Sequence, residues 1–318
     1  MAKGRGCVRP LPCAITVVRF RKRRRFLLVK ATKKWWPIFV LPTFLAFIIG
    51  FIVPFLEGLY LSFCKFTTIN KAAWVGIGNY VKVFEDAQFW TSLGFTASFT
   101  VVSTILINVL AFAVALALTK GIKGTNVFRT VYFMPNLIGG IVLGYIWNIL
   151  INCVLSIAGQ PLLALNNKAG YWGMIILMCW QQIGYMMIIY IAGLQSIPGS
   201  LIEAARIDGA TSWQTLIKVK IPNVMPSITI CMFLTLTNGF KLFDQNLALT
   251  GGLPYIINPD GTTVHTTEML ALNIYNTFYG QSSNSRGVGQ AKAVLFFILV
   301  AVLALTQQAV TRRKEVQQ

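Results

Sequence analysis

Nine acidic residues, six cysteines and one histidine are the groups in this 318-residue chain that could carry acid–base, nucleophilic or metal chemistry. Their spacing does not suit any of these. His265 has no partner histidine and no nearby cysteine. Cys7, Cys13, Cys64, Cys153, Cys179 and Cys231 show no CxxC spacing. Neither a metal site nor a disulfide framework is expected. The chain has no GxxxxGK[ST] phosphate cradle and no GxSxG, HExxH or GxGxxG motif. No two carboxylates form an external pair of the glycosidase kind. No catalytic residue is therefore assigned. What remains is polar side chains inside apolar runs, which are costly there and face a cavity or a partner helix. Gln181, Gln182 and Tyr185 share one helical face, as do Thr237, Asn238, Lys241, Asp244 and Gln245 if residues 224–249 form one helix, where they span about 120°. Amides plus an aromatic ring match solute hydroxyls, so Gln181, Gln182, Tyr185, Asn238 and Gln245 form a candidate substrate path. Lys241 and Asp244, at i,i+3, are expected to neutralise each other as a structural intramembrane pair.

A second constellation lies in residues 195–222, QSIPGSLIEAARIDGATSWQTLIKVKIP. Pro198-Gly199 make a turn. Ser200 and Glu203 fit a capping box, Ala204 and Ala205 are strong helix formers, and Gly209 suits a left-handed helix end. Thr211 and Gln214 form a second capping-box pair, and Pro222 closes the second helix. The spacing predicts a helix, a glycine turn and a helix.

The elements that position these groups follow from composition. Hydrophobic residues make up 55% and charged residues 12%, where a soluble domain carries roughly 25% charged. Six runs are long enough to cross a bilayer: about 36–63, 93–119, 127–151, 171–194, 224–249 and 291–310. The expected fold is all-α and polytopic. With the N-terminus inside, 21 Lys and Arg fall in cytoplasmic segments and five outside; both termini are expected in the cytoplasm and loop 195–222 beneath the membrane. Twelve of the 28 basic residues lie in residues 1–34. Residues 1–35 are expected to form a disordered basic tail attracted to anionic lipid, with a start codon set too far upstream as the alternative. The net charge of +19 borders apolar runs rather than a polar surface, so no nucleic-acid partner is expected. Residues 250–290 form the longest external loop.

Glu203-Ala204-Ala205, three residues, Gly209, nine residues, then Val219-Lys220-Ile221-Pro222 resembles the "EAA---G---------I-LP" signature of binding-protein-dependent ABC importer permeases. Val219 and Ile221 replace the family's Ile and Leu. The stretch Trp74-Val75-Gly76-Ile77-Gly78-Asn79-Tyr80, then Asp86 and Phe89-Trp90, is similar to carbohydrate permeases of the maltose and multiple-sugar type. So are Phe128-Arg129, Pro135 and Trp147, and Phe240-Lys241-Leu242-Phe243-Asp244 followed by Thr250-Gly251-Gly252. The likeness covers roughly residues 36–314. It implies a permease subunit of an importer for sugars or oligosaccharides in the bacterial cytoplasmic membrane. A second homologous permease, two ATPase subunits that bind ATP and Mg, and an extracytoplasmic solute-binding protein would be its partners. This chain would need no cofactor of its own. Glu203, Ala204, Ala205, Asp208, Gly209 and Pro222 would form the ATPase-coupling loop. A permease for another solute such as glycerol phosphate, and a non-transport membrane enzyme or scaffold, are the alternatives.

Overall fold

The computed structural model describes residues 36–68, 71–121, 123–257, 261–280 and 285–312. The tail at 1–35, with its expected disorder, lies outside the described residues, as do Arg313 and Lys314. Contacts divide the chain at Gly58 into two units.

The first unit is most of helix α1 (Trp36–Leu61), a candidate span of mean hydropathy 2.5. Phe47, Phe51 and Phe55 stack along it at i,i+4 spacing. Residues Ile48–Ile52 widen into a π segment, in which Val53 N–H donates to the Ile48 carbonyl. Pro54 follows two residues later. Proline lacks an N–H and clashes with the carbonyl four residues back, and a π-bulge absorbs both faults without ending the helix.

The second unit begins with a hairpin of β1 (Cys64–Phe66) and β2 (Ala72–Trp74), paired antiparallel with Lys65 opposite Ala73. Helix α2 (Gly78–Glu85) leads to Asp86, whose carboxylate accepts from Gln88 N–H and caps α3 (Ala87–Leu118). The chain then forms α4 (Thr125–Phe133), a 3-10 turn at Met134–Leu137, α5 (Gly140–Ile157) and α6 (Asn167–Gln195). The apolar run 127–151 is thus not one helix. Pro135 ends α4, Ile138 and Gly139 are extended, and α5 restarts beyond them.

Beneath α6 come α7 (Gly199–Ile207) and α8 (Ser212–Asn223), then α9 (Met225–Phe240) after a bend of 70°. Helix α10 (Asp244–Leu249), the antiparallel hairpin β3 (Tyr255–Ile257) with β4 (Thr263–His265), α11 (Leu270–Tyr279) and α12 (Arg286–Arg312) complete the chain. Among the described residues, five helices (α1, α3, α5, α6 and α12) are long and apolar enough to cross a membrane, or up to six spans if α8 and α9 count as one bent span. The fold is that of an all-α polytopic membrane protein.

α6 is the buried centre of this unit. Leu177, Met178, Met186, Met187 and Tyr190 pack with Phe99, Ile107, Ala111 and Ala115 of α3. Inside the packed layer, Tyr190 Oη donates to Asn108 Oδ1 at 2.6 Å and Asn108 Nδ2 to Thr235 Oγ1 at 2.9 Å, joining α3, α6 and α9. Where α4 crosses α6, a side chain at Gly184 would strike the Tyr132 carbonyl. Close backbone approach of this kind replaces the hydrophobic effect as the packing force in lipid.

Candidate functional site

The hairpin of residues 195–222 forms, with two changes. Gly209 has φ of +73°. Ala210 N–H donates to the Ala205 carbonyl and Gly209 N–H to that of Arg206, the Schellman closure of α7. Thr211 N–H donates to Gln214 Oε1 at 2.8 Å, and Gln214 N–H returns to Thr211 Oγ1 at 3.3 Å, so the second capping box is complete. The first is absent. The helix starts two residues early, behind Pro198, with no side-chain cap. Proline pre-sets the entering φ, which moves Ser200 inside the helix and away from the capping position. Pro222 does not close α8 either. A π segment at Leu216–Lys220 precedes it, the helix continues to Asn223, and the chain turns at Val224. This is the device seen before Pro54.

The hairpin exposes what a soluble loop would hide. α7 buries no residue, Ile207 is 86% and Trp213 68% exposed, and Leu201 and Ile217 are exposed as well. Glu203 is exposed and has no hydrogen bond or ion pair among the described residues.

The polar faces come together differently from the expectation. The run 224–249 breaks at residues 241–243, where Lys241 caps α9 and Asp244 starts α10. The two are no longer one turn apart on a common helix, and they form no ion pair. The one salt bridge among the described residues lies elsewhere, at Asp86–Lys292. The break still gathers most of the set. Gln182, Asn238, Lys241, Asp244 and Gln245 line one cavity of about 280 Å³ with Met178, Leu242 and Phe243. Gln182 is 9% exposed, and its buried amide oxygen has no hydrogen-bond partner among the described residues. Gln181 stands behind the wall: Gln245 Nε2 donates to Gln181 Oε1 at 2.8 Å, and Gln181 Nε2 donates to the Ile138 carbonyl. Tyr185 is half-buried against the apolar core and does not line the cavity. Gly140 and Gly144 let α5 sit against α10, since a side chain at Gly144 would collide with Ala248.

Sequence reasoning missed a second polar cluster, around Lys292. Lys292 Nζ, with the residue 1% exposed, donates to Asp86 Oδ2 at 2.6 Å and to Asn273 Oδ1 and Thr277 Oγ1, both at 2.8 Å. Buried Glu268 accepts from Asn273 and Asn276. The Gln88 side chain clamps the His265 backbone through both N–H and C=O. Asn246, fully buried beside Gln245, holds the Thr267 carbonyl and the Met269 N–H. Asp86 was visible in a motif and Lys292 at the edge of a span, but no local pattern relates positions 206 residues apart.

The chain is similar to known transport proteins. Residues 110–316 match the family described as binding-protein-dependent transport system inner membrane component. The probable starch degradation products transport system permease protein AmyD of Thermoanaerobacterium thermosulfurigenes is 42% identical over 89% of this chain and 96% of that protein. The multiple sugar-binding transport system permease protein MsmF of Streptococcus mutans is 32% identical over 89% of this chain and 97% of that protein. A solved bacterial ABC transporter involved in alginate import has the same fold, with a TM-score of 0.73 at 21% identity over 90% of this chain and 98% of that one. The chain belongs to the family of binding-protein-dependent transport permeases. It is a membrane-spanning permease, not an enzyme.

Proposed function

We propose that this chain is one permease subunit of an ATP-driven ABC importer for sugars or oligosaccharides, with the cavity between α6, α9 and α10 as part of the solute path. The observation that carries the reading is Gln182. A buried amide oxygen without a partner costs about 1–3 kcal/mol, and a solute hydroxyl entering the cavity removes that cost. Asn238 and Gln245 supply further amides on the same wall. Lys241 and Asp244 both face the cavity and together add no net charge, which suits a neutral polyhydroxyl solute better than a phosphorylated polyol. The relatives named for starch products and multiple sugars point the same way.

In this reading a second homologous permease closes the path. An extracytoplasmic binding protein delivers solute, two ATPase subunits holding ATP and Mg dock below, and the chain sits in the bacterial cytoplasmic membrane with both termini inside. Helix 201–208 inserts into a groove of the ATPase. Ala204 and Ala205 allow close approach, Glu203 offers an unpaired carboxylate to a basic partner group, and Asp208 and Gly209 end the helix. Pro222, through its π segment, sets the bend that joins the hairpin to α9. Covering Ile207 and Trp213 contributes about 1.5–3 kcal/mol each.

The test uses the assembled transporter. Gln182→Ala and Asn238→Ala should lower sugar uptake at normal membrane abundance. Ala205→Asp should leave abundance intact while the ATPase dissociates or hydrolyses ATP without moving solute. Normal uptake in Ala205→Asp at normal abundance removes the docking role. Reporter fusions at Asn166 and Gly209 should read outside and inside, respectively.

A further inference from the structure

We propose that Tyr279, Tyr275 and Phe243 form a stacking track for sugar rings that leads into the polar cavity and makes transport depend on saccharide chain length. The proposal rests on the sugar reading of that cavity and adds a second site to it.

The track is a product of helix spacing and of the break in the α9–α10 run. Tyr275 and Tyr279 lie at i,i+4 on α11, so their rings meet on one face, with centroids 4.9 Å apart. The break at residues 241–243 places Phe243 beside that face, its ring 5.2 Å from Tyr275. Phe243 lines the polar cavity and also a second cavity of about 420 Å³, whose wall includes Tyr275, Phe278, Tyr279 and Gln290. Ring contact therefore runs without a gap from the exposed Tyr279 to the amides of the first cavity.

The geometry leaves the rings usable. Tyr275 is 42% and Tyr279 68% exposed. Their mutual angle of 43° and the 56° between Tyr275 and Phe243 mean that the rings are tilted and do not cover one another face to face. The structure gives neither phenol a hydrogen-bond partner among the described residues. A pyranose ring has an apolar C–H face bordered by hydroxyls. An aromatic face with a free phenol matches both parts, an apolar body with a polar tip. No charged side chain lines the second cavity, so it offers nothing to a phosphate or carboxylate. Phe243, which lines both this cavity and the polar one, commits the two to the same solute.

A longer saccharide covers more rings at once, so loss of a ring weakens long chains most, by roughly three- to tenfold per ring. The experiment measures ATP-driven uptake of malto-oligosaccharides, from disaccharide to heptasaccharide, by the complete transporter with its binding protein in proteoliposomes. Tyr275→Leu and Tyr279→Leu remove the ring and keep apolar volume; Tyr275→Phe keeps the ring. The Leu variants should lose heptasaccharide uptake selectively while disaccharide uptake holds, and the Phe variant should keep the wild-type profile. An unchanged length profile in the Leu variants overturns the track. So does an equal loss at every length with reduced co-purification of the second permease, which would make this face a helix contact. If the unaltered transporter moves none of these sugars, the sugar reading itself fails, and that result is distinct from either of the others.

Discussion

The Asp86–Lys292 pair should respond asymmetrically to removal of its two ends. Lys292 is 1% exposed, and its three acceptors (Asp86, Asn273 and Thr277) account for all three ammonium protons. The Asp86 side chain is 31% exposed, and its second oxygen caps α3 through Gln88 N–H at 2.9 Å. Removing one partner of a buried pair typically costs about 3–5 kcal/mol, because the other charge is left uncompensated. Asp86→Ala leaves the ammonium stranded and also removes a cap worth about 0.5–2 kcal/mol, so about 4–6 kcal/mol is expected. Lys292→Met leaves a carboxylate that water still reaches and that keeps its cap. The remaining loss is two hydrogen bonds, about 1–3 kcal/mol together. The double variant removes both charges and should be more stable than Asp86→Ala alone. Membrane abundance and thermal stability of the detergent-purified transporter, measured on all four chains as a double-mutant cycle, check the order. Lys292→Met worse than Asp86→Ala, or simple additivity of the two, would refute the argument that the buried ammonium is the expensive member.

Four further outcomes follow from packing and hydrogen bonding. Gly184→Val drives a side chain into the Tyr132 backbone and should remove most folded chain from the membrane, since overpacking against backbone costs at least about 1–3 kcal/mol. Gly94→Ala, where a side chain meets nothing, should leave abundance unchanged. Gln245→Leu breaks the 2.8 Å bond to Gln181 and should lower the uptake rate with little change in abundance; normal uptake would show that this wall does not meet solute. Asn246→Leu removes the bonds to Thr267 and Met269, so amides in residues 261–280 should exchange faster with deuterium, and unchanged protection would show that the loop is held by other contacts.

How much was legible differs between elements, and the reason is range. Apolar run length is a property of one segment, so the runs behind α1, α3, α6 and α12 overlap those helices, with bounds that differ by up to six residues. The Thr211–Gln214 box and the Gly209 helix end are equally local, each complete within six residues. Ser200 failed as a cap because its neighbour Pro198 set the helix start first. Helical periodicity also gathered Asn238, Lys241, Asp244 and Gln245, but for a continuous helix that does not exist. The break at 241–243 separated Lys241 from Asp244 and gave the cavity its corner.

Residue types and spacing therefore determined a polytopic all-α fold with a capped hairpin at residues 195–222, because hydropathy, capping and turn chemistry act over a few residues; the permease reading came from the family resemblance. Only the tertiary structure decided which polar groups share a cavity, that Gln181 supports while Gln182 faces inward, that Tyr185 lies half-buried against the core, and that Lys292 pairs with Asp86. Those outcomes depend on which helices touch, and helices from distant parts of the chain meet through close backbone approach and buried polar contacts that no local pattern encodes.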